Sequence, residues 1–136
     1  PHGSEYYEPR LEGKAEIMLT SPPYFILEDY KNGEQSCRPD TDFDTWCESF
    51  LYPTLDNSFR YAAPDTCVII NIKNYKEFDM EDRCIRYAEA KGYQTTLDTL
   101  AISQRVIAGE IRSSNERVFV FHKHPLNLKT ALDDLF

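Results

Sequence analysis

A Ser-Pro-Pro-Tyr sequence, formed by Ser21, Pro22, Pro23 and Tyr24, follows an apolar run and offers groups that can act on an amine. The Ser21 hydroxyl and the Pro22 carbonyl are neighbouring hydrogen-bond acceptors, and two successive prolines keep that carbonyl out of a strand ladder. Acceptors that receive the hydrogens of a conjugated amine help neutralise the charge that develops on its nitrogen. The Tyr24 ring can stack on a planar base that has left a duplex, and Phe25 can form a second apolar wall. We therefore predict that the four residues are catalytic and that Phe25 contacts the substrate.

Four strands are predicted around this segment, at residues 14–20, 66–72, 93–103 and 117–123. Helical patterns separate the first three strands, which favours a parallel sheet covered by helices on both faces. No helical pattern separates the last two strands, so we expect them to be antiparallel neighbours. One edge strand of the sheet would then run in the reverse direction. An irregular basic segment at 104–116 joins the two strands. The expected fold class is therefore α/β. In such sheets ligands bind at the carboxyl ends of the strands, and Ser21 falls at such an end.

Two helices are predicted between these strands. The first starts behind an N-cap at Thr41 or Asp42, and its apolar residues recur at helical spacing as far as Phe59. Pro53 is expected to kink or split this helix because proline removes one backbone hydrogen bond. The second helix is expected to stop at Gly92, which takes the position after the C-cap.

The segment TSPPYF at residues 20–25 resembles the (D/N/S)PPY catalytic motif of the amino-group DNA methyltransferases. Those enzymes transfer a methyl group from S-adenosylmethionine to N6 of adenine or N4 of cytosine. The order of a strand, a long loop, a helix, a buried strand, a helix and a terminal hairpin is also similar over residues 14–123. The resemblance implies half of a Rossmann-like methyltransferase sheet, with parallel strands and an antiparallel terminal hairpin. An ill-ordered lead-in at 1–13 and a tail at 124–136 would flank it.

The same resemblance implies S-adenosylmethionine as the cofactor, with Thr20 and Ser21 beside it. The family's glycine-rich turn is missing, since none of the five glycines forms a Gly-x-Gly pair. We therefore expect the chain to be the C-terminal, motif-carrying half of such an enzyme and to bind the cofactor weakly by itself. The missing units would expose an edge of the first strand, which invites pairing with an N-terminal half or self-association.

The charge of the chain is uneven. Its net charge of −8 comes entirely from residues 1–65, with 13 acidic and 5 basic side chains, whereas residues 66–136 carry ten of each. Phosphate affinity comes from Lys and Arg, so we expect DNA contacts in the second half, where Arg105 and Arg112 lie. A solvated loop is an equal alternative for these arginines. Asn71 and Lys73 either line the rim of the site or form a polar strand exit.

Other sequence features exclude several classes of site. The four cysteines lack zinc-site spacing, and His122 and His124 have no evident third ligand, so no metal site is predicted. The thiols are expected to be reduced, with Cys67 and Cys84 buried as small hydrophobic residues. No apolar run is long enough to cross a bilayer and no signal peptide is recognised, so a cytoplasmic location is expected.

Two other functions remain open from the sequence. The chain can be a noncatalytic methyltransferase-like subunit that uses its half-sheet to pair with a partner. It can also belong to an enzyme with a similar motif that methylates protein glutamine or RNA, although the first motif residue is then usually Asn and here it is Ser21. A bare proline turn that ends a strand, or a proline-rich ligand, is the alternative without chemistry.

Overall fold

The structure, a computed structural model, describes residues 3–26, 41–98, 104–107, 110–113 and 117–123. Within these ranges the strands are β1 (Met18–Thr20), β2 (Val68–Asn71), β3 (Gln94–Asp98), β4 (Gln104–Ile107), β5 (Glu110–Ser113) and β6 (Val118–His122). The helices are α1 (Phe43–Trp46), a π-helical turn (Cys47–Leu51), α2 (Tyr52–Tyr61) and α3 (Met80–Ala90), and a 3₁₀ turn covers Pro9–Leu11.

Four of the strands form one sheet in the order β1-β2-β6-β3. β1 and β2 are parallel, with Thr20 opposite Ile70, and β6 runs antiparallel to both β2 and β3. The predicted α/β class and the antiparallel pairing of the last two strands of this sheet are therefore confirmed. The reversed strand was expected at an edge, but β6 lies inside the sheet, so that β1 and β3 form the edges among the described strands.

The core lies on one face of this sheet. Val68, Ile70, Phe119 and Phe121 alternate along β2 and β6, are at most 1% exposed, and belong to the same cluster as the buried residues of the helices. On the opposite face Leu19 is 65% exposed. The expectation of helices on both faces is thus wrong for the described part of the chain, because α1, α2 and α3 all contribute to the cluster on a single face.

The first predicted helix consists of α1, the π-helical turn and α2 in direct succession. Asp42 caps α1, since its carboxylate accepts hydrogen bonds from the backbone N–H of Thr45 at 2.9 Å and from the Thr45 hydroxyl at 2.6 Å. Pro53 is the second residue of α2 and follows the π-helical turn, whose last residue, Leu51, has right-handed helical backbone angles. The helical backbone continues through this turn, so the irregularity lies before Pro53, and a kink at Pro53 itself stays a prediction.

α3 ends in a Schellman motif, as predicted from Gly92. The N–H of Gly92 donates to the carbonyl of Glu89 at 2.9 Å, and the N–H of Tyr93 donates to the carbonyl of Ala88 at 3.0 Å. Gly92 has φ +90°, a left-handed conformation that glycine adopts without a steric penalty.

Two segments are more regular than expected. The predicted irregular segment at 104–116 contains β4 and β5, which pair as an antiparallel ribbon. The predicted ill-ordered lead-in contacts α2: the Tyr61 hydroxyl accepts from the N–H of Glu8 at 2.6 Å, and the N–H of Gly13 donates to the carbonyl of Arg60 at 2.9 Å. Side-chain polarity alone did not reveal these contacts, because both depend on hydrogen bonds to the backbone.

The remaining expectations concern cysteines, metals and membranes. Cys84 is buried and Cys67 half-buried as free thiols, whereas Cys37 lies outside the described residues. Within the ranges given above, no three His, Cys, Asp or Glu side chains are grouped to hold a metal ion, and His124 is outside those ranges. Nor does any helix there have the length and apolar character needed to cross a membrane.

Candidate active site at the end of strand β1

Ser21 lies directly beyond the carboxyl end of β1, and its side chain is exposed. β2 runs parallel to β1, so Asn71, its last residue, lies at the same edge of the sheet. The Ser21 hydroxyl contacts the Asn71 side-chain oxygen Oδ1, with an Oγ to Oδ1 distance of 3.3 Å. Strand pairing therefore brings together two polar side chains that are fifty positions apart in the chain.

The backbone carbonyl of Arg117 fixes the direction of this hydrogen bond. Asn71 Nδ2 lies 3.2 Å from the Arg117 carbonyl oxygen. A carbonyl only accepts hydrogen bonds, so the NH₂ group of Asn71 must face it and Oδ1 must face Ser21. Since Oδ1 is also only an acceptor, Ser21 has to donate its hydroxyl hydrogen to Asn71. The lone pairs of Ser21 Oγ then remain available to a group that donates.

A second layer of hydrogen bonds holds Arg117 in place. Its guanidinium donates to Glu81 Oε2 at 3.1 Å, and the Glu81 side chain is only 14% exposed. Glu81 Oε1 in turn accepts from the backbone N–H of Asn74 at 3.2 Å, and Asn74 Oδ1 accepts from the N–H of Glu81 at 2.9 Å. The start of β6, the start of α3 and the chain after β2 are thus connected beside Ser21.

The rest of the motif points into the protein. Pro22 is buried, Tyr24 is 8% exposed and Phe25 is 3% exposed. The Phe25 ring packs against Phe43, Trp46 and Phe78 at centroid distances of 5.4, 5.6 and 4.7 Å. These contacts anchor the segment that follows Ser21. A stacking role for Tyr24 or a substrate contact for Phe25 stays a prediction, and it requires a ring face to become accessible.

Thr20 faces a different space from Ser21. It lines a cavity of about 330 Å³ between β1, α2 and the N-terminal segment, together with Met18, Asn57 and Tyr61. A larger groove of about 730 Å³ lies along α3. Ser21 and Tyr24 line neither of these two cavities. The predicted pairing of Thr20 and Ser21 around one cofactor therefore stays a prediction.

Arg105 and Arg112 occupy directly paired positions of the β4–β5 ribbon. Directly paired residues of an antiparallel ribbon lie on the same face. Register therefore joins two arginines that the sequence placed in one irregular segment. Contact with DNA stays a prediction for both.

The buried thiols are poor candidates for a nucleophile. Burial raises the pKa of the Cys47 thiol to about 11, and burial also raises the pKa of Cys84. Only the thiolate attacks an electrophile, so both side chains are unreactive near neutral pH. Neither buried thiol is therefore a candidate for chemistry, and Ser21, which is exposed, remains one.

Sequence reasoning found Ser21 but gave Asn71 only a general place at the rim. One signal was present, because Asn71 is the polar residue that ends the β-branched run of β2. Its second partner, the Arg117 carbonyl, could not be found from side-chain patterns, since the contact depends on β6 lying next to β2.

Comparison with known proteins adds a structural relative. No family model and no curated protein matches the sequence. A solved structure described as a "Putative DNA Modification Methylase" from Thermus thermophilus, complexed with S-adenosyl-L-methionine, superposes with a TM-score of 0.53 at 13% identity. The chain has a methyltransferase-like fold. The match covers 95% of this chain and 56% of the other, so the chain spans little more than half of that structure.

Proposed function

We propose that this chain is the motif-carrying part of an S-adenosylmethionine-dependent DNA methyltransferase that acts on the exocyclic amine of adenine (N6) or cytosine (N4). The observation that carries the proposal is the position of Ser21. It is an exposed hydroxyl at the carboxyl end of β1, within a fold similar to that of a structure complexed with S-adenosyl-L-methionine. The Ser-Pro-Pro-Tyr sequence at that position supports the same chemistry.

The residues of the chain have separate tasks in this proposal. Ser21 Oγ accepts one hydrogen of the amine, and the carbonyl of the buried Pro22 accepts the other once it has become accessible. This favours a nucleophilic nitrogen and stabilises its developing positive charge. Tyr24 holds the flipped base by stacking, once its ring has become accessible. Arg105 and Arg112, paired across the ribbon, hold phosphate oxygens of the DNA.

We propose that the described residues supply only part of a pocket for S-adenosylmethionine. The cavity beside Thr20 has one carboxylate on its wall, Glu8, and both of its oxygens accept hydrogen bonds from the Arg10 guanidinium. A ribose diol would therefore have to share that carboxylate with Arg10. S-adenosylmethionine supplies an electrophilic methyl group when it is bound, and we propose that further polypeptide outside this chain completes its pocket.

Methyl transfer to DNA tests the proposal. The full-length protein is incubated with DNA and S-adenosylmethionine carrying a labelled methyl group, and the modified nucleoside is identified by mass spectrometry. We expect N6-methyladenine or N4-methylcytosine, and a loss of about a hundredfold or more in rate for Ser21→Ala. Ser49→Ala is the matched control, because Ser49 is an exposed serine on the π-helical turn whose hydroxyl donates to the Thr45 carbonyl.

Label found in protein or RNA but not in DNA contradicts this proposal and favours the glutamine or RNA alternative. Equal activity of Ser21→Ala and the Ser49→Ala control removes Ser21 from the chemistry.

A second candidate function is that of a subunit or segment that pairs with a complementary half. β1 is an edge of the described sheet, and beside it Ile17 is 78% and Leu19 65% exposed. A strand that is paired on one side only and carries exposed aliphatic residues is a template for another strand. We propose that the pairing segment is the one that completes the cofactor pocket.

Analytical ultracentrifugation tests this pairing. Leu19→Lys is expected to abolish association with the complementary segment, or the self-association of the chain. Ser49→Lys is the control, since Ser49 is also exposed but lies in the π-helical turn, outside the sheet. A monomeric wild-type chain that binds S-adenosylmethionine tightly by itself contradicts this second function.

A further inference from the structure

We propose that Asn71 is a positioning residue that makes Ser21 an acceptor only, and that the pair thereby selects substrates with an amino group over those with a keto oxygen. The inference rests on the proposed function and goes beyond it, because it assigns a specificity to a residue outside the Ser-Pro-Pro-Tyr sequence. Asn71 acts through Ser21 and does not itself contact the substrate.

The argument starts from the two ends of the Asn71 amide. One end donates to the Arg117 carbonyl at 3.2 Å, and the other accepts from Ser21 at 3.3 Å. The first contact sets the orientation of the amide, because reversing it would place Oδ1 against a carbonyl oxygen. The pairing of β2 with β6 holds Asn71 beside Arg117, since Asn71 is in register with Val118, the residue after Arg117.

A serine hydroxyl has one hydrogen and two lone pairs, and it normally rotates to suit its partner. Here the hydrogen of Ser21 is committed to Asn71, so the exposed side of Oγ presents only lone pairs. An N–H from an exocyclic amine fits that surface. A keto oxygen would face it without any hydrogen between the two atoms, and leaving polar groups unpaired on desolvation is costly.

The expected discrimination follows from this geometry. Adenine N6 and cytosine N4 carry hydrogens, whereas guanine O6 and thymine O4 are acceptors only. Without Asn71 the Ser21 hydroxyl can rotate and donate, and the preference for an amine should fall. Asn71 therefore contributes twice, by holding Ser21 in position and by setting the direction of its hydrogen bond.

Nuclear magnetic resonance tests the hydrogen bonds without any requirement for activity. The side-chain Cγ resonance of Asn71 reports on the hydrogen bond that Oδ1 accepts, and its NH₂ resonances report on the bond to the Arg117 carbonyl. Ser21→Ala is expected to shift the Cγ resonance while the NH₂ resonances stay protected from exchange. Ser49→Ala should leave both unchanged. An Asn71 Cγ resonance that does not respond to Ser21→Ala overturns the proposed pair.

Kinetics of methyl transfer test the functional role. Asn71→Leu is expected to lower kcat about tenfold to a hundredfold with little change in KM, because it disturbs the position of Ser21. Asn71→Asp keeps an acceptor for Ser21 but loses the donor to Arg117, so its activity should lie between those of the wild type and Asn71→Leu. The double variant Ser21→Ala/Asn71→Leu should be no slower than Ser21→Ala alone, since both changes remove the same interaction.

Competitor DNA tests the preference for an amine. Oligonucleotides with hypoxanthine in place of adenine, or uracil in place of cytosine, carry a keto oxygen where the amine was. They should compete more weakly than normal DNA for the wild type, and this difference should shrink for Asn71→Leu. Full activity and unchanged preference in Asn71→Leu, with Ser21→Ala inactive, overturn the inference but leave the proposed function intact. Absence of methyl transfer by the wild type removes the proposed function, and the resonance experiment still decides the hydrogen-bonded pair.

Discussion

The segment at residues 21–25 begins with an exposed polar residue and ends with a buried aromatic one. Ser21 is exposed and bonded to Asn71, whereas Phe25, four positions later, is enclosed by aromatic rings. An exposed hydroxyl followed by a buried ring fixes the chain on both sides of the prolines. The position of Ser21 at the sheet edge therefore depends on the packing of the Phe25 ring as well as on the hydrogen bond to Asn71.

The packing of Phe25 gives the first prediction. Phe25→Ala removes a ring that is 3% exposed and leaves a cavity, so the free energy of unfolding should fall by about 3–5 kcal/mol. Urea denaturation followed by circular dichroism measures this loss. Tyr6→Ala is the control, since Tyr6 is 54% exposed and its truncation should cost far less. Equal effects of the two variants would show that Phe25 is not part of the core.

The sequence makes Ser21 and Tyr24 candidates because a strand, two prolines and an aromatic residue are adjacent in the chain. It did not identify the contact of Asn71 with Arg117, because the two residues are 46 positions apart and meet only through pairing of β2 with β6. It did not reveal that the Phe25 ring packs against Phe43 and Trp46, and a substrate contact for Phe25 stays a prediction. Local sequence patterns indicate which side chains are candidates, whereas the pairing of distant strands determines which residues they contact.

At the scale of elements, helix ends follow local rules closely. Asp42 begins α1 by accepting hydrogen bonds from Thr45, and Gly92 ends α3 in a left-handed conformation. Each end was predicted because its signal lies within a few residues of the cap. The placement of β6 inside the sheet was not predicted, because strand order is decided by contacts between distant segments.

The cap at Asp42 predicts a dependence of stability on pH. Hydrogen bonds from the Thr45 hydroxyl and the Thr45 N–H lower the pKa of Asp42 in the folded protein. The stabilisation is therefore fully present above the ordinary aspartate pKa of about 3.9 and is lost as the pH falls through the lower, folded value. Asp42→Ala should lower the thermal midpoint at pH 7, and this deficit should shrink as the pH falls below the ordinary value.

Asp42→Asn provides the control for this prediction. Asparagine also caps helices but does not titrate, so the difference between Asp42→Asn and Asp42→Ala should stay constant over the same pH range. A deficit of Asp42→Ala relative to the wild type that grows towards acid pH would contradict the assignment of Asp42 as the cap.

Gly92 gives a prediction about backbone conformation alone. A Cβ added at Gly92 would meet nothing within 4 Å, so a substitution acts only through the positive φ of +90°. Gly92→Ala should destabilise the protein by about 1 kcal/mol, measured by urea denaturation. Gly92→Asn should cost less, because asparagine adopts the left-handed conformation more readily. Identical losses for the two variants would contradict a left-handed residue at this position.

At the scale of the whole molecule, charge is separated along the chain. The net charge of −8 resides in residues 1–65, whereas the paired positions of Arg105 and Arg112 lie in the half that carries no net charge. A polyanion is repelled by the first region, so the DNA contact that we propose is expected in the second. In this half, the register of the β4–β5 ribbon places Arg105 opposite Arg112.

This arrangement predicts a specific salt dependence. If both arginines hold phosphates, the double variant Arg105→Ala/Arg112→Ala should reduce the slope of log affinity against log salt concentration by about 2. Fluorescence anisotropy with labelled duplex DNA measures the slope. Arg10→Ala is the control, because Arg10 is bound to Glu8 in the acidic half of the chain. An unchanged slope in the double variant would place the DNA contact elsewhere.

The internal position of β6 affects the order in which the sheet can assemble during synthesis. β3 pairs with β6 alone among the described strands, although β6 is made after it. A nascent chain that has not yet released Val118–His122 from the ribosome can join β1 to β2, but β3 has no partner strand to meet. Completion of the four-stranded sheet is therefore a late event, because β6 has to be made before it can link β3 to β2.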